Sequence, residues 1–103
     1  MHYDIIIYVA ELDIHTIKEI LLKNGVQFAG IFGSRARGDN RPDSDLDILI
    51  RFKEDDKSLL DLINIENTLS DKFGIKVDLV TEGSMSPYIK PYILKDLKVI
   101  LNS

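Results

Sequence analysis

Two short, mostly apolar runs flank the sequence GSRARGDNRPDSDLD, and the residues at their inner ends constrain this chain more than any other feature. Residues 27–32 form a brief run closed by Gly33, the pattern of a strand that feeds a turn. Gly33 can take backbone angles closed to other residues. Ser34, Arg35, Ala36 and Arg37 are then enough for one helical turn before Gly38 stops it. The leading N–H groups of such a turn point outward with the positive end of its dipole, which makes a phosphate cradle. Asn40, Arg41, Pro42 and Asp43 supply turn chemistry. From Asp45 a strand is expected, with Asp45, Asp47 and Leu49 on one face and Leu46, Ile48 and Ile50 on the other. Two carboxylates one pleat repeat apart repel unless a cation offsets them, and Mg²⁺ takes one or two carboxylates together with phosphate oxygens. The pattern predicts a metal–nucleotide site.

Two blander readings compete with it. Asp43, Asp45 and Asp47 with Glu54 imitate the ligand spacing of a calcium loop, but Ile48 stands where that loop needs glycine for a sharp turn. A solvated acidic strand end beside a glycine turn would explain either signal alone. Both signals occur together, each at a strand end, and that favours the site.

A chain of 103 residues with 45% hydrophobic content has the length of one domain, spanning residues 1–103, with a single modest core. Its formal charge of −4 and isoelectric point near 5.0 argue against broad nucleic-acid binding, which needs a basic face. Cysteine is absent, so disulfides and thiolate–metal sites are excluded. No apolar run approaches a membrane span, and the start Met-His-Tyr-Asp lacks the basic region of a signal peptide, so a cytoplasmic location is expected.

Residues 2–10 are β-branched and aromatic and are expected to be extended. Asp13 suits the N-cap of a helix with Ile14, Ile17, Ile20 and Leu21 on one face, Glu19 and Lys23 paired four apart, and Gly25 past its end. His2 and His15 lack metal-ligand spacing and read as ordinary surface or interface residues. Ser58 opens a second helix on which Leu59, Leu62, Ile63, Leu69 and Phe73 follow helical spacing, with Gly74 at its end. Residues 75–80 read as a strand in which Asp78 interrupts apolar neighbours. A carboxylate inside a central strand is costly unless paired or metal-bound, which makes Asp78 a candidate third acid. Toward the C-terminus, Pro87 suits a first helical position and Pro91 is expected to distort the short helix that follows. Tyr88 and Tyr92, four apart, read as core-facing or interface aromatics. Residues 99–101 could form a last edge strand or close over the core.

Gly33-Ser34, ten intervening residues and then Asp45-Leu46-Asp47 resemble the signature of the DNA polymerase β-like nucleotidyltransferase superfamily. The wording GSRARGDNRPDSDLDILI looks like its smallest members, the minimal nucleotidyltransferase (MNT) antitoxins of HEPN toxins. The resemblance implies an α/β (α+β) fold with a small mixed, twisted β-sheet and helices packed mainly on one face. It implies that Asp78 is the third catalytic aspartate, on the strand beside the Asp-x-Asp strand. With that assignment Asp45, Asp47 and Asp78 are expected to be both catalytic and metal ligands, holding two Mg²⁺ ions. Gly33, Ser34, Arg35 and Arg37 are expected to bind the phosphates of the nucleotide, the arginines offsetting charge that develops there. The implied activity is transfer of AMP from ATP to a tyrosine of a HEPN ribonuclease toxin, with release of pyrophosphate. An antitoxin that only masks its toxin, and a transferase acting on a small molecule or RNA end, are the alternatives. Larger relatives carry an added domain that holds the base or the acceptor. A separate protein is therefore expected to complete the site, while oligomeric state and base preference stay open.

Overall fold

The computed structural model describes residues 13–103, so the expectation of an extended segment at residues 2–10, and the reading of His2, lie outside the described residues. Helix α1 (Ile14–Lys23) starts where Asp13 accepts a hydrogen bond from the Thr16 N–H, and it is followed by strand β1 (Val26–Phe32). Its exposed Glu19 pairs with His15 at 2.7 Å, where the sequence suggested Lys23. The one-turn helix α2 (Ser34–Arg37) leads through a loop to strand β2 (Leu46–Phe52). Helix α3 (Leu59–Phe73) opens with a capping box between Ser58 and Asp61 and ends at Gly74. Strand β3 (Val77–Thr81), a 3₁₀ turn (Glu82–Ser84), helix α4 (Lys90–Asp96) and strand β4 (Lys98–Asn102) complete the order.

The sheet runs β3-β2-β1-β4 and is mixed: β1 pairs antiparallel with β2 and β4, while β2 and β3 run parallel. Strand periodicity sorts its side chains. Ala29, Ile31, Ile48, Ile50, Leu79 and Leu101 point to the face where Ile17 and Leu21 of α1 and Ile65 and Leu69 of α3 complete one buried cluster. This is the arrangement expected from the sequence, with the two long helices on one face. Leu49 and Ile93 are buried outside that cluster, because the short α4 covers part of the other face. Gly30 makes this possible: a Cβ there would lie 2.5 Å from Leu97 Cδ1, so only a residue without a side chain lets the end of α4 sit on β1.

Four expectations need correction. Asp78 lies on an edge strand, not a central one, so burial alone does not account for it. Pro91 falls in the first turn of α4, where a missing N–H breaks no helical hydrogen bond, and the helix forms around it undistorted in its pairing. Leu59 and Ile63 are exposed, because α3 meets the core through Leu62, Ile65, Leu69 and Phe73 and turns these two residues away from it. For Tyr88 and Tyr92 the core-facing alternative falls and the interface alternative stays open: both face solvent, since Ile93 supplies the side of α4 that meets the sheet. Among the described residues, no helix is long and apolar enough to cross a membrane.

Candidate active site

The register of the sheet places the acids. Asp47 is the second residue of β2, and its cross-strand partner on β3 is Asp78. Parallel strands in register turn matched residues to the same face, so the two carboxylates stand side by side on the face away from the main cluster. Asp45 lies just before β2, exposed, with its Oδ2 4.0 Å from Lys76 Nζ. The Leu46 N–H donates to the Lys76 carbonyl at 2.9 Å, which ties the entry of β2 to that of β3.

Asp47 responds electrostatically to this company. Its carboxyl is pushed up to about 6, first because it is half removed from water and then because the Asp78 and Asp45 carboxylates repel its charge; Lys76 and Arg37 act in the opposite sense. A half-buried acid facing two like charges is a site prepared for cations. Among the described residues no three acidic or histidine side chains stand close enough to form a ready-made cage for an ion. Mg²⁺ does not ask for one: it binds through one or two carboxylates and fills its shell with water and phosphate oxygens. The adjacent Asp47 and Asp78, with Asp45 at the mouth, fit that mode of binding.

The Gly-Ser bend meets the same carboxylate. Gly33 has φ 77° and ψ −156°, and a Cβ on it would lie 2.5 Å from Asp47 Oδ2. Only glycine tolerates both the angle and the proximity. From there α2 turns once: the N–H groups of Ala36 and Arg37 each donate to the Gly33 carbonyl at 3.1 Å, and that of Gly38 donates to Ser34 at 2.9 Å. The first N–H groups of a helical turn have no partner within it, and here they lead from a residue that borders Asp47. Ser34 is the next residue and is partly exposed.

The two arginines separate. Arg35, expected to help hold phosphate, is buried, and its guanidinium is occupied elsewhere. Nε and Nη2 donate to the Ser44 carbonyl at 3.2 and 2.9 Å, and Nη2 also donates to the Pro42 carbonyl at 3.3 Å. It braces the loop that delivers Asp45. Arg37 is exposed and pairs with Asp39 at 3.2 Å and Asp96 at 2.7 Å, and its charge reaches Asp47.

Two residues that the sequence did not single out support Asp78. Glu66 Oε2 accepts from the Leu79 N–H at 2.8 Å, and Ser70 Oγ accepts from the Val77 N–H at 3.0 Å. Both belong to α3, and their spacing of four places them on one side of that helix, a signal with no meaning until β3 is known to lie alongside it.

Residues 14–100 match the nucleotidyltransferase domain family. The protein adenylyltransferase MntA of Thermococcus cleftensis is 40% identical over 80 residues, which cover 78% of this chain and 80% of that one. A Methanocaldococcus jannaschii relative that also bears a protein adenylyltransferase name is 45% identical over 82 residues, 80% of this chain and 87% of its own. Among solved structures, a minimal nucleotidyltransferase superposes with a TM-score of 0.72 at 32% identity, over 82% of this chain and 86% of the other. A chain of a toxin–antitoxin complex crystallised with AMP-PNP shares the fold, with a TM-score of 0.78 at 22% identity over 88% and 74% of the two chains. The matched span takes in the Gly33-Ser34 bend, Asp45, Asp47 and Asp78 together, and the chain thus belongs to the nucleotidyltransferase domain family.

Proposed function

We propose that this chain is an Mg²⁺-dependent protein adenylyltransferase that works in the cytoplasm as an antitoxin, moving AMP from ATP to a tyrosine hydroxyl of a HEPN ribonuclease toxin. One observation carries the reading: Asp47 and Asp78 are register partners on parallel strands, and the Gly33 bend abuts Asp47. Nucleotide phosphates held at that bend would lie next to the carboxylates. The acceptor is taken from relatives named as protein adenylyltransferases. A structural neighbour from Shewanella oneidensis, an MNT antitoxin, was crystallised with a tri-AMPylated HEPN toxin.

Asp45, Asp47 and Asp78 would hold the metal, which supplies Lewis-acid neutralisation of the triphosphate. The chain's own groups do the rest. Ser34 and the leading N–H groups of α2 hold the outer phosphates, and Arg37, within electrostatic reach of Asp47, offsets charge gathering on the leaving group. Asp78, beside Asp47 on the accessible face, accepts the proton of the acceptor hydroxyl. The hydroxyl oxygen forms the new bond to the α-phosphorus, the bond to the bridging oxygen breaks, and pyrophosphate leaves with that electron pair.

The test is incubation with labelled ATP, Mg²⁺ and a HEPN-domain toxin. Label should appear on the toxin and disappear with Asp47→Asn or Asp78→Asn. Toxin neutralised equally well by Asp47→Asn would instead make the chain a masking antitoxin. Label that appears on RNA ends or small molecules, and not on the toxin, would reassign the acceptor.

A further inference from the structure

The face of the sheet that carries Asp47 and Asp78 also carries α4, and the outer side of α4 is aromatic. Leu97 sits over Gly30, and Ile93 is buried toward the sheet. The C-terminal end of α4 is tied to the phosphate turn by the 2.7 Å bond from Arg37 Nη1 to Asp96 Oδ2. Tyr92 lies one helical turn before Asp96, with roughly 6 Å expected between their Cβ atoms. Tyr88 and Ile89 continue that row into the turn before the helix, where the Ile89 and Lys90 N–H groups both donate to Ser86. Tyr88 is 84% exposed, Ile89 55% and Tyr92 73%, with Leu94 and Val99 also exposed nearby in sequence. A row of large apolar groups facing solvent marks a candidate interaction surface, and tyrosine is one of the residue types enriched at such surfaces.

We propose that Tyr88, Ile89 and Tyr92 form the docking surface for the protein that presents the acceptor hydroxyl, and that this partner meets them with an apolar patch rimmed by acidic residues. This rests on the adenylyltransferase reading given above. Position on the fold supports it, because the row starts one turn from the residue that holds Arg37 and lies on the carboxylate side of the sheet. A protein seated there reaches the reacting phosphate without crossing the core. Charge supports it too. The chain carries a formal charge of −4, yet Lys90, Lys95 and Lys98 border the row, and the one acid among them, Asp96, is already paired with Arg37. A locally basic rim on an acidic protein selects a partner of opposite sign and speeds its approach.

The experiment compares the full chain with its Tyr88→Ser/Tyr92→Ser variant, using a HEPN-domain protein as the acceptor. Both side chains are exposed, so the fold is kept. The KM for the acceptor should rise about tenfold or more, with kcat and the affinity for a fluorescent ATP analogue unchanged. A photo-crosslinking residue at position 92 should capture the acceptor. An unchanged acceptor KM overturns the proposal, as does a crosslink to a second copy of this chain or to its own residues 1–12. The two readings fail separately. If the wild-type chain forms a complex that the variant loses, but leaves no label, the docking surface stands and the transfer reaction falls.

Discussion

The Glu66 carboxylate accepts a hydrogen bond from the N–H of Leu79, the residue directly after Asp78, at 2.8 Å. With Ser70 on the Val77 N–H, α3 takes up the two donors that the edge strand turns away from β2 on either side of the acid. An edge strand is the easiest part of a sheet to shift or fray, so these two bonds hold Asp78 opposite Asp47. Glu66→Ala should cost about 1–2 kcal/mol in urea unfolding and lower kcat roughly tenfold, with a smaller change in KM. Glu66→Gln keeps an acceptor oxygen and should recover most of both losses. Equal kinetics for the two variants would refute the positioning role.

Asp47 makes the ion-free fold sensitive to pH. Its folded value of about 6 lies above the ordinary value of 3.8, so the native state holds that proton more tightly than the unfolded chain does. The contribution of Asp47 to stability is therefore greatest below pH 4, falls as pH rises through the window from about 4 to about 6, and stays reduced above it, while Asp13 and Asp61, whose values are lowered, act in the opposite sense at acid pH. Because the group is half exposed, solvent screening keeps the cost to the order of 1 kcal/mol. Asp47→Asn should stabilise the ion-free protein at pH 7 by about that amount, flatten the window and abolish transfer. Denaturant titrations at pH 4.5 and pH 7 in chelator measure it.

Arg35→Lys should behave as a disruptive change. A lysine offers one ammonium where the buried guanidinium now serves the carbonyls of Ser44 and Pro42 together. About 2 kcal/mol of stability should be lost, and the affinity for Mg²⁺ should weaken because the loop carrying Asp45 loosens. Calorimetry with Mn²⁺ as a probe reads that weakening directly.

Gly33→Ala forces a side chain into a backbone region open only to glycine, and its Cβ meets Asp47 Oδ2. A loss of about 1–3 kcal/mol is expected, along with near-complete loss of nucleotide binding. A variant that still binds a fluorescent ATP analogue normally would show that the bend does not border the nucleotide.

What was legible in the sequence was local. Asp13 and Ser58 as caps, Gly74 as a stop, the Gly33–Gly38 turn and the alternation from Asp47 to Ile50 all depend on neighbours within about four residues, so the chain states them outright. The Gly-Ser to Asp-x-Asp spacing likewise encodes a strand, a turn and a returning strand. Tertiary structure decided the remainder. Asp78 is an acid among apolar residues until the parallel register of β2 and β3 sets it beside Asp47, some thirty residues away in sequence. Arg35 and Arg37 are equivalent in one dimension, yet a helical turn rotates one inward to carbonyls and the other outward to Asp96. Helical spacing alone likewise could not tell which side of α4 would be covered, and Ile93 took the sheet while Tyr88 and Tyr92 were left to solvent. Short-range hydrogen bonding and backbone sterics write the elements into the chain, whereas the face each element buries depends on which distant surface comes to lie against it.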